Sequence, residues 1–332
     1  MKLCAATYFT KGWTYCVSGW LDHFHAAVSG FSGVLIVSTD QTDQCLERVS
    51  IIKERLKDWS VIHRQIHIES DSHPPYGEQA QLIIAKLQGA AFSSAREIGA
   101  DLFWSIESDI LVPPNSMKIL KQAIEFDDNY YGVAMITYPN GQFLGGRGTE
   151  GAHICPDIYD DERKIPKSVL EKKKHLQEAL KRNGANEKLV SEMQKNELEI
   201  KECPPAGNIF HLQSKKWRKR GWLEAAYPGI GRGAILPTDW VGLGCTMMNK
   251  KALSLATFYG YPLRGTQDLF LCWRRWHQND IRMCVIPHVA CAHVKKVSKN
   301  GTDEIIIFSP YHEKTGEYEG HLRVEQSKYC FN

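Results

Sequence analysis

The stretch Ala100-Asp-Leu-Phe-Trp-Ser-Ile-Glu-Ser-Asp-Ile-Leu-Val-Pro-Pro114 decides how the chain reads. Leu102 to Ile106 has the length and the aromatic and β-branched content of a buried strand, and Pro113-Pro114 stops it. In an extended segment residues i and i+2 share a face, so Glu107 and Asp109 are expected to point the same way at a strand end. Two hard carboxylates, with room for diphosphate oxygens and water, suit Mg²⁺ or Mn²⁺. A solvated acidic loop has the same composition, so the flanking pattern has to decide between them.

Upstream, strand-like and helix-like patterns alternate. Leu3 to Tyr8 reads as a strand, Val17 to Val28 as a helix, Gly33 to Val37 as a second strand reaching Asp40, and Cys45, Val49, Ile52 and Leu56 recur at helical spacing. Val61 to Ile68 reads as a third strand, and Ala80, Ile84, Leu87, Ala91, Ala95 and Ile98 trace a long helical stripe into the opening stretch. Met117 to Phe126 follows as a helix and Tyr130 to Thr137 as a strand. This alternation predicts an α/β fold: an open, mostly parallel sheet with helices on both faces and ligands at the carboxyl ends of the strands. Asp40, Glu107 and Asp109 all fall at such ends.

The chain of 332 residues, 43% of them hydrophobic, is long enough for one large α/β domain with an insertion or for two domains. A formal net charge of +3 implies no polyanionic partner by itself. The ten cysteines include Cys4, Cys245, Cys272, Cys284 and Cys291 in apolar segments and form no Cys-x-x-Cys pair, as expected of buried free thiols in a reducing compartment. With no apparent signal peptide and no apolar run of membrane length, a soluble cytosolic protein without a membrane span is expected.

After Tyr138 the pattern changes. Five glycines fall within Gly141–Gly151, a loop or linker signature, and Lys164 to Glu202 reads as two helices broken at Asn183-Gly184. Arg163–Trp222 carries 16 Lys and Arg against 7 Asp and Glu. Lys215, Lys216, Trp217 and Arg218 interleave cations with an aromatic ring, either as a solvated helix face or as a surface gripping phosphates and stacking on bases. Three units are therefore expected: 1–138, an inserted 139–234, and 235–332.

The α/β pattern resumes at Pro237-Thr-Asp-Trp-Val-Gly-Leu-Gly244. Asp239 and Trp240 offer a hydrogen-bonding acid beside an aromatic platform suited to a sugar or base. Gly242 and Gly244 allow close backbone approach, to a ligand or simply to packing neighbours. Asp268 opens a helix, where it is either a dipole-favoured first-turn acid or a catalytic base. Met283 to Pro287 reads as a strand, and His293 beyond it is either structural or a ligand.

The order of these motifs resembles the GT-A glycosyltransferases. A nucleotide-binding first strand is followed by a strand ending in Asp40. Ala95-Arg96-Glu97 is similar to the Ala-Arg-Asn before the family's metal strand, and Glu107-Ser108-Asp109 to its Asp-x-Asp motif. Asp239-Trp240-Val-Gly-x-Gly resembles the acceptor-side strand, Gln267-Asp268 stands where many inverting members have Glu-Asp, and His293 takes the place of a late metal-binding histidine. The resemblance covers about 1–138 and 235–295. It implies a nucleotide-diphosphate-sugar donor bound through Thr7, Phe9, Asp40, Arg96 and Glu107, and Mn²⁺ or Mg²⁺ on Asp109, Glu107 and His293. It also implies Asp268 as general base of an inverting transfer, with Asp239, Trp240, Gly242 and Gly244 toward the acceptor. Glu107 and Gln267 depart from the family pattern, which makes Asp109 the firmer ligand and leaves Asp268 as the carboxylate for base duty there.

The acceptor expected from the basic insertion is a hydroxymethylated base in DNA, as modified by some bacteriophage enzymes, contacted through Lys215, Lys216, Trp217 and Arg218. A cytosolic protein or a polysaccharide is the alternative acceptor. Two other classes remain: a sugar nucleotidyltransferase, which needs a Gly-rich loop with Arg and Lys where this chain has Thr10-Lys11-Gly12-Trp13, and a non-catalytic nucleic-acid-binding module, which needs none of the acids.

Overall fold

The computed structural model describes residues 1–68, 78–126, 130–138, 167–183, 186–202, 235–238, 241–263, 266–299, 302–311 and 318–326. Four parallel strands, β1 (Leu3–Phe9), β2 (Gly33–Thr39), β3 (Trp59–Gln65) and β4 (Leu102–Glu107), lie in the order β3-β2-β1-β4. Every residue of β1 is buried, as expected of a strand covered on both faces. Helix α1 (Val17–Ala27) leads from β1 to β2, and α2 (Asp43–Arg55) leads from β2 to β3. Helix α3 (Glu78–Ile98) then carries the chain back across β1 to β4. Because such crossovers are right-handed, this reversal puts α3 on the opposite face from α1 and α2. It also makes the carboxyl ends of β1 and β4 the switch point, where open α/β sheets bind ligands.

The later elements are β5 (Ile110–Leu111), α4 (Ser116–Glu125), β6 (Val133–Thr137), α5 (Lys167–Asn183), α6 (Glu187–Glu202), β7 (Leu236–Thr238), β8 (Cys245–Asn249), β9 (Met283–Ala290), β10 (Ala292–Lys299), β11 (Thr302–Tyr311) and β12 (Tyr318–Gln326). The main sheet has eight strands, order β3-β2-β1-β4-β8-β6-β9-β7, drawn from both sides of the 139–234 segment. β8 runs antiparallel to both β4 and β6, and β7 antiparallel to β9, so the parallel character holds in the first half and in the β6–β9 pair. The expected Rossmann-like α/β class is the one that forms, with this antiparallel strand at its centre. The third strand ends at Gln65 rather than Ile68, and the sixth begins at Val133 rather than Tyr130.

Packing follows the apolar stripes. On α3, Ala80, Leu87, Ala91 and Ala95 are buried, and Phe92 meets Phe103 of β4 edge-on at 5.4 Å between ring centres. Trp20 and Phe24 of α1 stack at 4.8 Å, and Phe24 reaches Trp59 of β3 and Trp104 of β4. The seven cysteines among the described residues whose state is defined are all free and buried. The two helices expected in 164–202 form as α5 and α6, joined by an Asn196 Nδ2 to Val169 O hydrogen bond of 3.3 Å.

A second sheet, order β12-β11-β10-β5, is entirely antiparallel and was not foreseen in the C-terminal part. Its anchor is β5, only two residues long, which pairs Ile110 with His293 and Leu111 with Ala292. That register controls the geometry of the site.

Candidate active site

A pocket of about 620 Å³, part of it open to solvent, lies at the switch point. Tyr8, Phe9, Thr10 and Trp13 line it from the end of β1, Ala80, Ile83, Ile84 and Leu87 from α3, and Glu107, Ser108 and Asp109 from the end of β4. One wall is thus apolar and aromatic and the other acidic, a combination suited to a ligand with a flat ring at one end and a charged group at the other.

Glu107 closes β4, and the chain turns at Ser108-Asp109 before β5. The two carboxylates therefore reach one pocket through a turn, not through the alternation of a continuous strand, which corrects the expectation from sequence. Asp109 is fixed by main-chain pairing: its carbonyl accepts the Val294 N–H at 2.8 Å. His293 and Lys295, two apart on β10, flank Val294 and approach the Asp109 carboxylate. His293 Nε2 lies 3.0 Å and Lys295 Nζ 3.2 Å from Asp109 Oδ2. The Tyr138 ring stands edge-on to His293 at 5.7 Å, and the Tyr138 hydroxyl accepts the Gly244 N–H at 3.3 Å.

The electrostatics of the acids diverge. Burial drives Glu107 up to about 8, and the neighbouring charges of Asp109 and Asp268 push in the same direction against Lys295. Burial would also raise Asp109, but the Lys295 ammonium and His293 hold it well below the usual carboxylate range. Asp268, in the first turn of the helix starting at Gln267, is buried and pushed up to about 6, with Oδ1 accepting the Leu269 N–H at 2.9 Å. A crowded set of buried carboxyls, one ionised and two resisting ionisation, is arranged to receive positive charge or to take up protons.

Magnesium and manganese are commonly held by one or two carboxylates, with phosphate oxygens and water completing the shell. Glu107 and Asp109 meet that requirement, and a divalent cation would relieve the crowding that raises Glu107. Among the described residues no group of three or more His, Cys, Asp or Glu side chains is arranged to enclose a metal by itself. An ion here would depend on the ligand's own oxygens.

The remaining expected site residues are placed as follows. Phe9 lines the pocket, whereas Thr7 is fully buried within β1. Asp40 follows directly on β2, and its oxygens accept the Lys11 N–H at 2.9 Å, the Thr42 N–H at 3.2 Å and the Thr42 hydroxyl at 2.6 Å, which ties the loop after β1 to the start of α2. Burial raises Asp40, but bonds from Thr42, Cys45 and Lys11 outweigh it and lower the carboxyl. Arg96 is not brought to the pocket. It sits about 13 Å along α3 beyond Leu87, and its guanidinium binds Leu253 O at 3.3 Å and Ala256 O at 2.5 Å at the end of the short helix Lys250–Leu255. Gly242 donates its N–H to Met135 Sδ at 3.3 Å, and a Cβ on Gly244 would stand 2.7 Å from Tyr138 Cζ. Both glycines thus pack closely on side chains of the fold. Asp239, Trp240, Lys215, Lys216, Trp217 and Arg218 lie outside the described residues.

Sequence reasoning passed over Lys295, Trp13 and Tyr138. For Lys295 a signal existed: it is two residues from His293 in a strand, so it shares that residue's face.

No protein-family model matches the chain, and no curated protein matches it. Among solved structures it is similar to TarS 1-349 of S. aureus, at 12% identity and TM-score 0.42, covering 88% of this chain and 59% of that one. It is also similar to A197 from STIV, at 9% identity and TM-score 0.40, covering 93% and 91%. A third is the mannosyltransferase PcManGT from Pyrobaculum calidifontis in complex with GDP-Man and Mn²⁺, at 12% identity and TM-score 0.30, covering 41% and 35%. The chain thus spans less than two thirds of the length of the first and the third. Among the described residues no helix is long and apolar enough to cross a membrane.

Proposed function

We propose that the chain is a metal-dependent glycosyltransferase of the GT-A kind, moving a sugar from a nucleotide-diphosphate donor to a hydroxyl acceptor. The observation that carries this reading is that Glu107 and Asp109 line the switch-point pocket while Asp268 and His293, remote from them in sequence, act on those two carboxylates, Asp268 on Glu107 through its charge and His293 on Asp109 through a hydrogen bond. The nucleoside lies along Phe9, Trp13 and the apolar wall of α3, and the diphosphate faces Glu107 and Asp109. Those two residues would hold Mn²⁺ or Mg²⁺, with His293 beside Asp109, and the ion would supply positive charge against that of the diphosphate. Asp268 takes the proton of the attacking hydroxyl, and burial places its pKa near the range in which a base works at neutral pH. The two parts of the chain flanking 139–234 share this single site.

The test is a panel of nucleotide-sugars assayed for hydrolysis with Mn²⁺, with Mg²⁺ and in chelator. Chelator should abolish turnover, and Asp109→Asn should lower it by at least ~10²-fold, the scale of losing one major electrostatic stabiliser. Undiminished turnover with metal shown to be absent refutes the reading.

The acceptor we favour is a hydroxymethylated base in DNA. The basic and aromatic run from Lys215 to Trp222 supports it, as do the exposed lysines Lys172, Lys173 and Lys174 of α5. Transfer to hydroxymethylated but not native DNA, weakened by salt, is the expected result. Transfer to protein or polysaccharide instead would move the acceptor to those classes.

A further inference from the structure

Lys295 is unassigned in the scheme above, yet its ammonium acts on both acids of the acidic wall, Glu107 and Asp109. Its ammonium makes its one hydrogen bond among the described residues to Asp109 Oδ2, leaving two N–H donors, and lies 5.4 Å from the centre of the Trp13 ring. Trp13 and Asp109 both line the pocket, so the ammonium stands at its margin between the aromatic wall and the acids. The side chain is 16% exposed and its partner's 10%, which puts the pair at the edge of the site and not in the deep core.

A purely structural ion pair is a poor account of this arrangement. Asp109 is already positioned by the Val294 N–H on its carbonyl and by His293 on the same carboxylate oxygen. A second donor on Oδ2 adds little to orientation, while burying an ammonium costs solvation that a single shared oxygen repays incompletely. The cost is intelligible if the cation has a second partner. A diphosphate would bring more negative charge against Glu107, Asp109 and Asp268, and a divalent ion on Asp109 would repel the ammonium from it. Lysine binds phosphate as a mobile point charge on a flexible stem, so a change of partner needs only rotation about side-chain bonds.

We propose that Lys295 is a diphosphate-binding residue of this pocket, pairing with Asp109 when the site is empty and with the donor's diphosphate when it is filled. This rests on the nucleotide-sugar reading of the pocket. Lys295 thus works beside the metal: it supplies positive charge from the protein and balances that of Asp109 until the ion arrives.

The experiment measures binding of UDP, GDP, CDP and ADP, and of the matching nucleosides, to the full chain and to Lys295→Met and Lys295→Arg, with Mn²⁺ present. Lys295→Met should weaken the preferred diphosphate on the order of tenfold or more, the scale of one hydrogen bond to a charged group. It should leave the nucleoside within about twofold, since the base and ribose touch other walls. Lys295→Arg should recover most of the loss, which excludes misfolding as its cause. Equal weakening of nucleoside and diphosphate, or no weakening of either, overturns the role of Lys295 while leaving the site reading intact. A wild-type protein that binds none of the four diphosphates with Mn²⁺ present overturns the site reading itself, and the role of Lys295 with it.

Discussion

Replacing Asp268 by Asn should stabilise the protein at neutral pH while sharply slowing transfer. Burial pushes the Asp268 carboxyl from 3.8 to about 6, so the folded protein binds this proton more tightly than the unfolded chain does. A raised carboxyl pKa means stability is greatest below the unfolded value and falls as pH rises toward the folded one. Integrating the two titrations, this one side chain should cost roughly 2 kcal/mol of stability between pH 4.5 and pH 7, after which its effect is flat. Asparagine does not ionise, and its side-chain oxygen can still accept the Leu269 N–H that Asp268 Oδ1 accepts at 2.9 Å. The difference in unfolding free energy between Asp268→Asn and wild type, measured in urea, should therefore move by roughly that amount in the variant's favour over this interval. Transfer should fall ~10²- to 10⁴-fold, the range for losing a general base. In the wild type, turnover should rise about tenfold from pH 5 to pH 7 as the base form fills. A variant whose stability tracks wild type at both pH values would show that the carboxyl is not held in this dry environment. Undiminished transfer, or a retained anomeric configuration in the product, would remove the base role.

Gly244→Ala places a Cβ 2.7 Å from Tyr138 Cζ, so it should cost ~1 to 3 kcal/mol by overpacking and weaken Mn²⁺ binding by shifting the ring that supports His293; unchanged thermal stability would show that the loop has room to move. Arg96→Ala should destabilise by ~1 to 3 kcal/mol through the loss of its bond to Ala256 O, Leu253 O keeping the Ala256 N–H, and leave nucleoside diphosphate affinity at wild-type strength, whereas a selective loss of nucleotide would return Arg96 to the donor site. Phe92→Ala should cost ~3 to 5 kcal/mol in urea unfolding, the usual loss for a buried ring, and a cost under 1 kcal/mol would mean that Phe103 collapses into the gap.

Why the sequence located the pocket but not its detail follows from the range of the interactions involved. The strands ending at Asp40 and Glu107, and the helix approaching Glu107, are written locally, as apolar runs and a 3.6-residue stripe that a covered parallel sheet requires. Glu107 and Asp109 could thus be read at the carboxyl end of a strand, and Phe9 only through the family resemblance; the reversal of strand order at β1, which selects the site, is visible in the fold alone. Arg96 lies away from the pocket because motif order carries no information about distance along a helix: α3 spans 21 residues, and Arg96 sits in its last turn, shortly before the amino end of β4, whereas Ala80 lines the pocket. The pairing of Asp109 with Lys295 was hidden for the opposite reason, and its nearness to His293 was expected only from the family resemblance. It depends on Ile110 and Leu111, a strand too short to show any period, meeting a partner 183 residues away in the Ile110 to His293 register. A register set by two residues has no signature in either segment alone, yet a slip of one residue on β10 would turn His293 and Lys295 away from Asp109 together. The chemistry proposed for this pocket therefore hangs on the antiparallel sheet as much as on the parallel one. Variants that loosen β5, such as Leu111→Ala in the small core with Cys16, Val294 and Ile307, should cost Mn²⁺ and diphosphate affinity beyond what their ~2 to 5 kcal/mol of lost stability explains.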